Sequence, residues 1–334
     1  MVRDLTTGNE CAMFVITGAA GFIGSCLIRR LNDAGETDLV LVDDFSDHAK
    51  KANLAGKKFT RQISIETFPA WFEKNASAVS GVFHFGACSN TAEFDERVFD
   101  RLNRNYSKVV WKVCTEHKIP LVYASSAATY GAGESGYSDN HAHVSKLRPL
   151  NPYGQSKHDF DMWALGEKKT PPRWYGLKFF NVYGPNEAHK ARMASMVFHG
   201  FNQVQNNGFV NLFKSHRPDF KDGGQSRDFM YVKDAVEVSV FFMKNPQTPS
   251  GLYNVGTGTA RSFLDMQKAI FAALQETPDI RFIDIPEDIR DKYQYFTEAP
   301  LEKLRAANYT RKFRSLEDGI DDYVRNYLIP KCYW

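Results

Sequence analysis

The sequence of 334 residues predicts an α/β fold: a doubly wound parallel sheet with a smaller C-terminal α+β lobe. Two observations lead there. Short apolar runs of strand length alternate with helical patterns as far as Gly184, and the first run passes through Gly18, Gly21 and Gly24 into a helix. After Gly184 the alternation loosens into loops such as "SHRPDFKDGGQSRDF", which sets off the second lobe.

The elements follow in order. "MFVIT" is a short buried strand, and the segment after it is a helix with Phe22, Ile23, Leu27, Ile28 and Leu31 as its apolar positions. "DLVLVDDFS" and "GVFHFGA" are further strands. "RVFDRLNRNYSKVVWKVCTEH" is a long amphipathic helix, and "IPLVYASSA" a strand after it. "YGQSKHDFDMWALGEK" is helical, and "WYGLKFFNVYG" reads as one strand. "GLYNVGT" returns to the sheet.

Composition narrows the class. Hydrophobic residues make up 43% of the chain, and 42 basic against 39 acidic residues leave no charge excess suited to nucleic acid or a membrane surface. No apolar run approaches the roughly 20 residues of a membrane span. Arg3, Asp4 and Glu10 interrupt the first twelve residues, so no signal peptide is expected. Cys11, Cys26, Cys88, Cys114 and Cys332 show no CxxC spacing and read as reduced thiols rather than a metal site. A cytoplasmic enzyme is expected.

"TGAAGFIG" places its glycines where a strand gives way to a helix. Glycines let a pyrophosphate approach the backbone, and the helix N-terminus offers N–H groups to it. A plain tight turn would also use glycine, but the apolar strand before and apolar helix after favour a dinucleotide. Asp43, at the end of the second strand, is suited to accept hydrogen bonds from ribose hydroxyls. The expected organisation is a dinucleotide-binding Rossmann domain over 10–180, rejoined by about 228–256. Residues 181–227 and 257–334 form the substrate lobe.

"NPYGQSK" holds Tyr153 and Lys157 four apart, on one helix face. Alone, that spacing fits an ordinary surface helix. Here it follows "YASSAATYG", whose Ser126 can bond the same substrate oxygen. A nearby ammonium favours the phenolate, which makes Tyr153 a proton-transfer group for an alcohol.

Together these motifs resemble the extended short-chain dehydrogenase/reductase family acting on nucleotide sugars. "HFGACS", "FFNVYGP", "RDFMYVKDAV" and "GLYNVGTG" agree with it along most of the chain. The resemblance implies cofactor contacts from Gly18, Gly21, Phe22, Ile23, Gly24, Asp43, Asp44 and Lys50, and from the loop Phe85, Gly86, Ala87, Cys88 and Ser89. Asn103, Tyr153, Lys157, Val182 and Lys190 complete that set. It implies catalytic roles for Ser126, Tyr153 and Lys157, and substrate contacts from Ser126, Asn181, Arg192, His199, Phe213, Arg227 and Tyr293. For Arg227 the alternative is an ion pair with Asp228 or Asp222. The implied cofactor is NADP, tightly bound and not consumed. NAD is the alternative, since Asp43 and Asp44 together repel a 2′-phosphate while Lys50 and Lys51 offset them.

Within the family, "HKARMASM", "RDFMYV" and "YQYFTEA" are similar to epimerases that invert carbon 6 of an ADP-linked heptose for the lipopolysaccharide core. Lys190 then falls at the position of a second acid/base, and His189 beside it reads as structural. The same resemblance implies a homo-oligomer, a pentamer. Another nucleotide-sugar epimerase or a dehydratase is the alternative, although "SSAAT" lacks the acidic pair a dehydratase would show. Ile65, where some relatives have a basic residue, and Phe85, where a polar residue is usual, depart from the pattern.

Overall fold

Seven strands make one parallel sheet: β1 (Met13–Thr17), β2 (Leu39–Asp43), β3 (Arg61–Ser64), β4 (Val79–His84), β5 (Leu121–Ser126), β6 (Trp174–Phe179) and β11 (Gly251–Val255). Their order is β11-β6-β5-β4-β1-β2-β3, so the chain winds outward twice from the middle, as a doubly wound sheet does. This computed structural model describes residues 12–290 and 293–334. The expectations resting on Arg3, Asp4, Glu10 and Cys11, and the first residues of the expected dinucleotide domain, lie outside the described residues.

The strands are apolar on both faces because helices cover both. Phe14 and Ile16 of β1 belong to one core cluster with Leu27, Ile28 and Leu31 of the helix Phe22–Asp33 and with the helix Val232–Lys244. Val15, between them in sequence, points to the opposite cluster with Val110, Trp111 and Phe160. Edge strand β3 (RQIS) is mostly exposed, and its polarity hid it from the sequence reading.

One expected strand is two. The run 174–184 divides at Phe180, whose N–H donates to Val255 O (3.0 Å). The chain then leaves the sheet, and β7 (Asn181–Tyr183) pairs in parallel with β10 (Phe229–Tyr231). Asn181 N–H donates to Asp228 O (3.1 Å), which fixes the departure. Beyond it, β13 (Ile280–Ile283) pairs with β8 (Val210–Phe213), and β12 (Arg261–Ser262) with β9 (Ser226–Arg227). The expected helix 97–117 is present with a π-helical turn at Asp100–Asn105, so its apolar face shifts beside Asn103. No described helix is long and apolar enough to cross a membrane.

Candidate active site

The glycine turn is built by close approach. Gly18 has φ +67°, and a Cβ there would come within 2.7 Å of Gly86 N. Gly24 abuts Gly18 O so closely that a Cβ would lie 2.1 Å from it. Gly21 caps the helix Phe22–Asp33 without any side-chain acceptor, and no acid stands in the first turn. The N–H groups at Phe22 and Ile23 have no acceptor among the described residues, which suits a pyrophosphate. The residues present fit a dinucleotide.

Asp43 is buried and does local work as well. One carboxylate oxygen accepts from Ala20 N–H (2.8 Å) in the glycine turn; the other accepts from Asp44 N–H (2.8 Å) and Lys50 Nζ (3.1 Å). Asp44 is exposed and accepts from the N–H (3.0 Å) and hydroxyl (2.5 Å) of Ser46. Those bonds hold its carboxyl below the usual range.

The loop after β4 hangs on a chain of buried bonds. Ser107 Oγ donates to Asn103 O (2.5 Å), so it accepts from His84 Nε2 (2.9 Å). His84 Nδ1 then accepts from Thr17 Oγ1 (2.7 Å), which in turn accepts from Gly86 N–H (3.0 Å). Burial pushes the His84 imidazole down to about 3, so it stays neutral. Asn103 grips Cys88 twice, accepting from its N–H (2.8 Å) and donating to its carbonyl (2.9 Å), and donates also to Ser156 Oγ (2.8 Å). Ser156 bonds Tyr153 O (2.7 Å), so one asparagine joins the loop 85–89 to the helix Pro152–Gly166. Phe85 packs edge-on against Phe179 (5.8 Å between centroids), which accounts for an apolar residue there. Ala87 is half-buried and Ser89 exposed.

Asn151 caps the helix Pro152–Gly166 by accepting from Gly154 N–H (2.8 Å), and Tyr153 and Lys157 share the face toward β5. The phenol of Tyr153 is pushed up by burial, opposed by a hydrogen bond with Ser126. Lys157 Nζ donates to Ala124 O (2.7 Å). Burial lowers its ammonium to about 8, with Asp161 acting the other way. Ser126, Tyr153 and Lys157 are thus together at the end of β5.

Lys190 and Arg192 lie in the short 3-10 helix Ala188–Met193, where Ala191 adopts φ 47°, a backbone state that disfavours a side chain. Lys190 Nζ stands over the ring of Phe22, 5.6 Å from its centroid. Burial pushes its ammonium down, opposed by Glu187. Glu187 itself is buried and holds the loop by accepting from Gly184 N–H (3.2 Å), Ser195 N–H (2.5 Å) and Ser195 Oγ (2.7 Å). His189 Nδ1 lies 3.0 Å from Asn186 O and 3.1 Å from Asn53 Nδ2. His199 Nε2 bonds Arg192 O (3.2 Å). Val182 is half-buried and Asn181 exposed at the opening of β7.

Arg227, Phe213 and Tyr293 come together. The Arg227 guanidinium stands 5.7 Å from the Tyr293 ring, and that ring meets Phe213 edge-on at 5.8 Å. Arg227 is buried, donates only to the carbonyls of Ser226 and Gln294, and has no carboxylate partner among the described residues. The alternative ion pairs are not formed: Asp228 accepts from the N–H groups of Thr257, Gly258 and Ala299, and Asp222 from Ser215 N–H. A buried cation without a counter-charge is a place for an anion.

Residues 14–256 match the NAD dependent epimerase/dehydratase family. This chain belongs to that family. It is 47% identical over 326 residues to the ADP-L-glycero-D-manno-heptose-6-epimerase of Fusobacterium nucleatum, covering 95% of this chain and 98% of that protein. Identity to the protein of the same name from Nitratidesulfovibrio vulgaris is 44%, with coverage of 95% and 98%. Among solved structures, the Helicobacter pylori ADP-L-glycero-D-manno-heptose-6-epimerase superposes with a TM-score of 0.79 at 29% identity, covering 95% of this chain and 96% of that one. A UDP-N-acetylglucosamine 4-epimerase from Methanobrevibacter ruminantium reaches the same TM-score at 21% identity, which speaks for the fold alone. As an isomerase of this family, the chain takes a nicotinamide cofactor and a nucleotide sugar.

For this epimerase/dehydratase family member, sequence reasoning passed over Thr17, His84, Ser107, Glu187, Asp161 and Lys178. Asp161, one helical turn beyond Lys157, was visible as a same-face carboxylate. A lone histidine ending an apolar strand carries no comparable signal.

Proposed function

We propose that this chain is an ADP-L-glycero-D-manno-heptose 6-epimerase, which inverts carbon 6 of ADP-D-glycero-D-manno-heptose by transient oxidation to a 6-keto sugar and re-reduction. Similarity over nearly the whole chain to two proteins of that name supports the reading. Among the residues, the supporting observation is that Tyr153, on the helix Pro152–Gly166, and Lys190, on the loop after β7, the two groups assigned proton transfer in this reading, stand on separate elements.

A bound nicotinamide dinucleotide supplies the hydride acceptor and donor, held by the glycine turn, Asp43, the loop 85–89 and Lys157. Ser126 holds the hydroxyl oxygen while Tyr153 takes its proton, and the Lys157 ammonium favours the phenolate. Once the keto carbon presents its opposite face, the oxygen lies away from Tyr153. Lys190, its proton loosened by burial, returns a proton there. Arg227 binds the diphosphate through its planar fork, and Phe213, Tyr293, Asn181, Arg192 and His199 line the remainder, within the lobe of residues 181–227 and 257–334.

The cofactor in this reading is NADP, with Lys50 serving the 2′-phosphate. Asp44, kept ionised by its bonds to Ser46, opposes a 2′-phosphate, and Lys50 offsets it. We place the reaction in the cytoplasm, where Cys26, Cys88, Cys114 and Cys332, free in this structure, stay reduced. The test is incubation of the purified protein with ADP-D-glycero-D-manno-heptose and no added cofactor, followed by proton NMR at carbon 6 and extraction of the bound nucleotide. Inversion with NADP recovered is the expected result; no inversion overturns the function, and recovery of NAD alone overturns the cofactor.

A further inference from the structure

Behind Ser126, Tyr153 and Lys157 lies a buried ion pair that the reaction as described does not use. Lys178 on β6 and Asp161 on the helix Pro152–Gly166 meet at 2.7 Å with both side chains 0% exposed. Replacing such a pair by apolar side chains is often neutral or stabilising, so stability alone is weak ground for its presence.

Its contacts converge on the strand end that carries Ser126. Asp161 accepts from Tyr123 OH (3.0 Å) and from Ser125 Oγ (2.7 Å). Between those residues, Ala124 O accepts from Lys157 Nζ (2.7 Å). Lys178 Nζ also donates to Thr129 Oγ1 (2.7 Å), and that hydroxyl donates to Ser126 O (2.8 Å). The remaining face of the ammonium lies over the Tyr130 ring, 5.1 Å from its centroid. Residues 123 to 126 are therefore held one after another by the helix of Tyr153 and Lys157 or by Lys178. Asp161 follows Lys157 by four residues and Tyr153 by eight, so all three share one helix face.

We propose that the Asp161–Lys178 ion pair positions the proton-transfer residues, fixing Ser126 at the end of β5 against the helix of Tyr153 and Lys157. The Asp161 carboxylate of the pair also sets the field at Lys157. That ammonium faces Asp161 from its own helix, Cys88 from the loop after β4 and neutral His84 from β4. Asp161 raises its proton affinity against the burial that lowers it to about 8. Without the Asp161 carboxylate, Lys157 would lose its proton at a lower pH, and with it the charge that favours the Tyr153 phenolate.

The inference rests on the epimerase reading, so its test has one arm that needs no sugar. Asp161→Asn alone leaves an unpaired buried lysine and can fail to fold. The double variant Asp161→Asn/Lys178→Met removes both charges. In the double variant, turnover of ADP-heptose should fall roughly 10- to 100-fold with KM within about 3-fold, the scale of a misplaced reacting group. In the sugar-free arm, NADPH affinity of wild type and double variant is measured against pH by fluorescence titration. The alkaline loss of binding, read as Lys157 deprotonation, should move to lower pH in the variant. Unchanged turnover and an unchanged titration would overturn the proposal, and so would a double variant that does not fold, since the pair would then be a stability element. If wild type itself does not turn over ADP-heptose, the epimerase reading fails while the NADPH titration still decides the role of the pair.

Discussion

Lys190 Nζ stands 5.6 Å from the centroid of the Phe22 ring, so the loop after β7 delivers a cation to the first residue of the helix that follows the glycine turn. Two features hold it there. Glu187 anchors the loop through Gly184 and Ser195, and Ala191 accepts a left-handed φ of 47° immediately after the lysine. Beside the glycine turn the ammonium is placed to meet a phosphate, and the proton-donor role proposed for it is a separate one.

Lys190→Ala separates those roles. The variant should keep its cofactor and bind substrate, yet invert carbon 6 at least roughly 100-fold more slowly, the usual scale for a lost acid/base. The two hydride half-reactions should suffer unequally, because Tyr153 still serves one orientation of the oxygen. Single-turnover kinetics with each epimer reads this. Near wild-type inversion would make Lys190 a phosphate contact only.

Tyr153→Phe should retain the cofactor and lose turnover by a factor of about 100 or more, since Ser126 and Lys157 cannot accept the hydroxyl proton in its place. Lys157→Ala should lose turnover and also cofactor affinity, because its ammonium has donors free beyond the bond to Ala124 O. Dialysis followed by absorbance of the retained nucleotide distinguishes the two variants. Equal cofactor loss in both would contradict the separate roles.

His84 makes stability depend on pH. Its imidazole ionises near 3 in the fold and near 6.5 when unfolded, so the unfolded chain binds the extra proton between those values. Stability from this group is complete above about pH 6.5 and is lost as pH falls toward 3, with a total on the order of 5 kcal/mol. Urea unfolding between pH 7.5 and 5 should show this decline, and His84→Gln should flatten it. His141, His158 and His189 are also lowered by burial and will leave a residual slope. An equal slope in the variant would mean His84 is charged in the fold.

Gln267 is fully buried with neither its amide nitrogen nor its oxygen partnered, pressed against Gly200 on the facing helix. Gln267→Met keeps the shape and removes two desolvated polar groups, so it should stabilise by about 1–3 kcal/mol. The denaturant midpoint reads it directly. A lower midpoint would show that the amide has a partner in solution.

Much of this was legible in the sequence because it is local. The glycine turn, the Tyr153–Lys157 spacing and the return of 251–257 to the sheet are each set by short-range pattern. The split at Phe180 was not, since "FFNVYG" keeps strand character while Asp228 redirects its backbone. Nor was the π-helical turn at Asn103, which breaks the 3.6-residue period that reveals helices. The grip of Lys178 and Asp161 on residues 123 to 129 joins three separate segments, and the position of Lys190 depends on a backbone angle at Ala191. Sequence spacing carries neither.

Inversion by transient oxidation at carbon 6 is tested most directly with ADP-D-glycero-D-manno-heptose carrying deuterium at that carbon. The expected product is inverted and retains the label in ordinary water, because hydride leaves and returns within one site. Washout of deuterium into solvent, or a product unchanged at carbon 6, would contradict it.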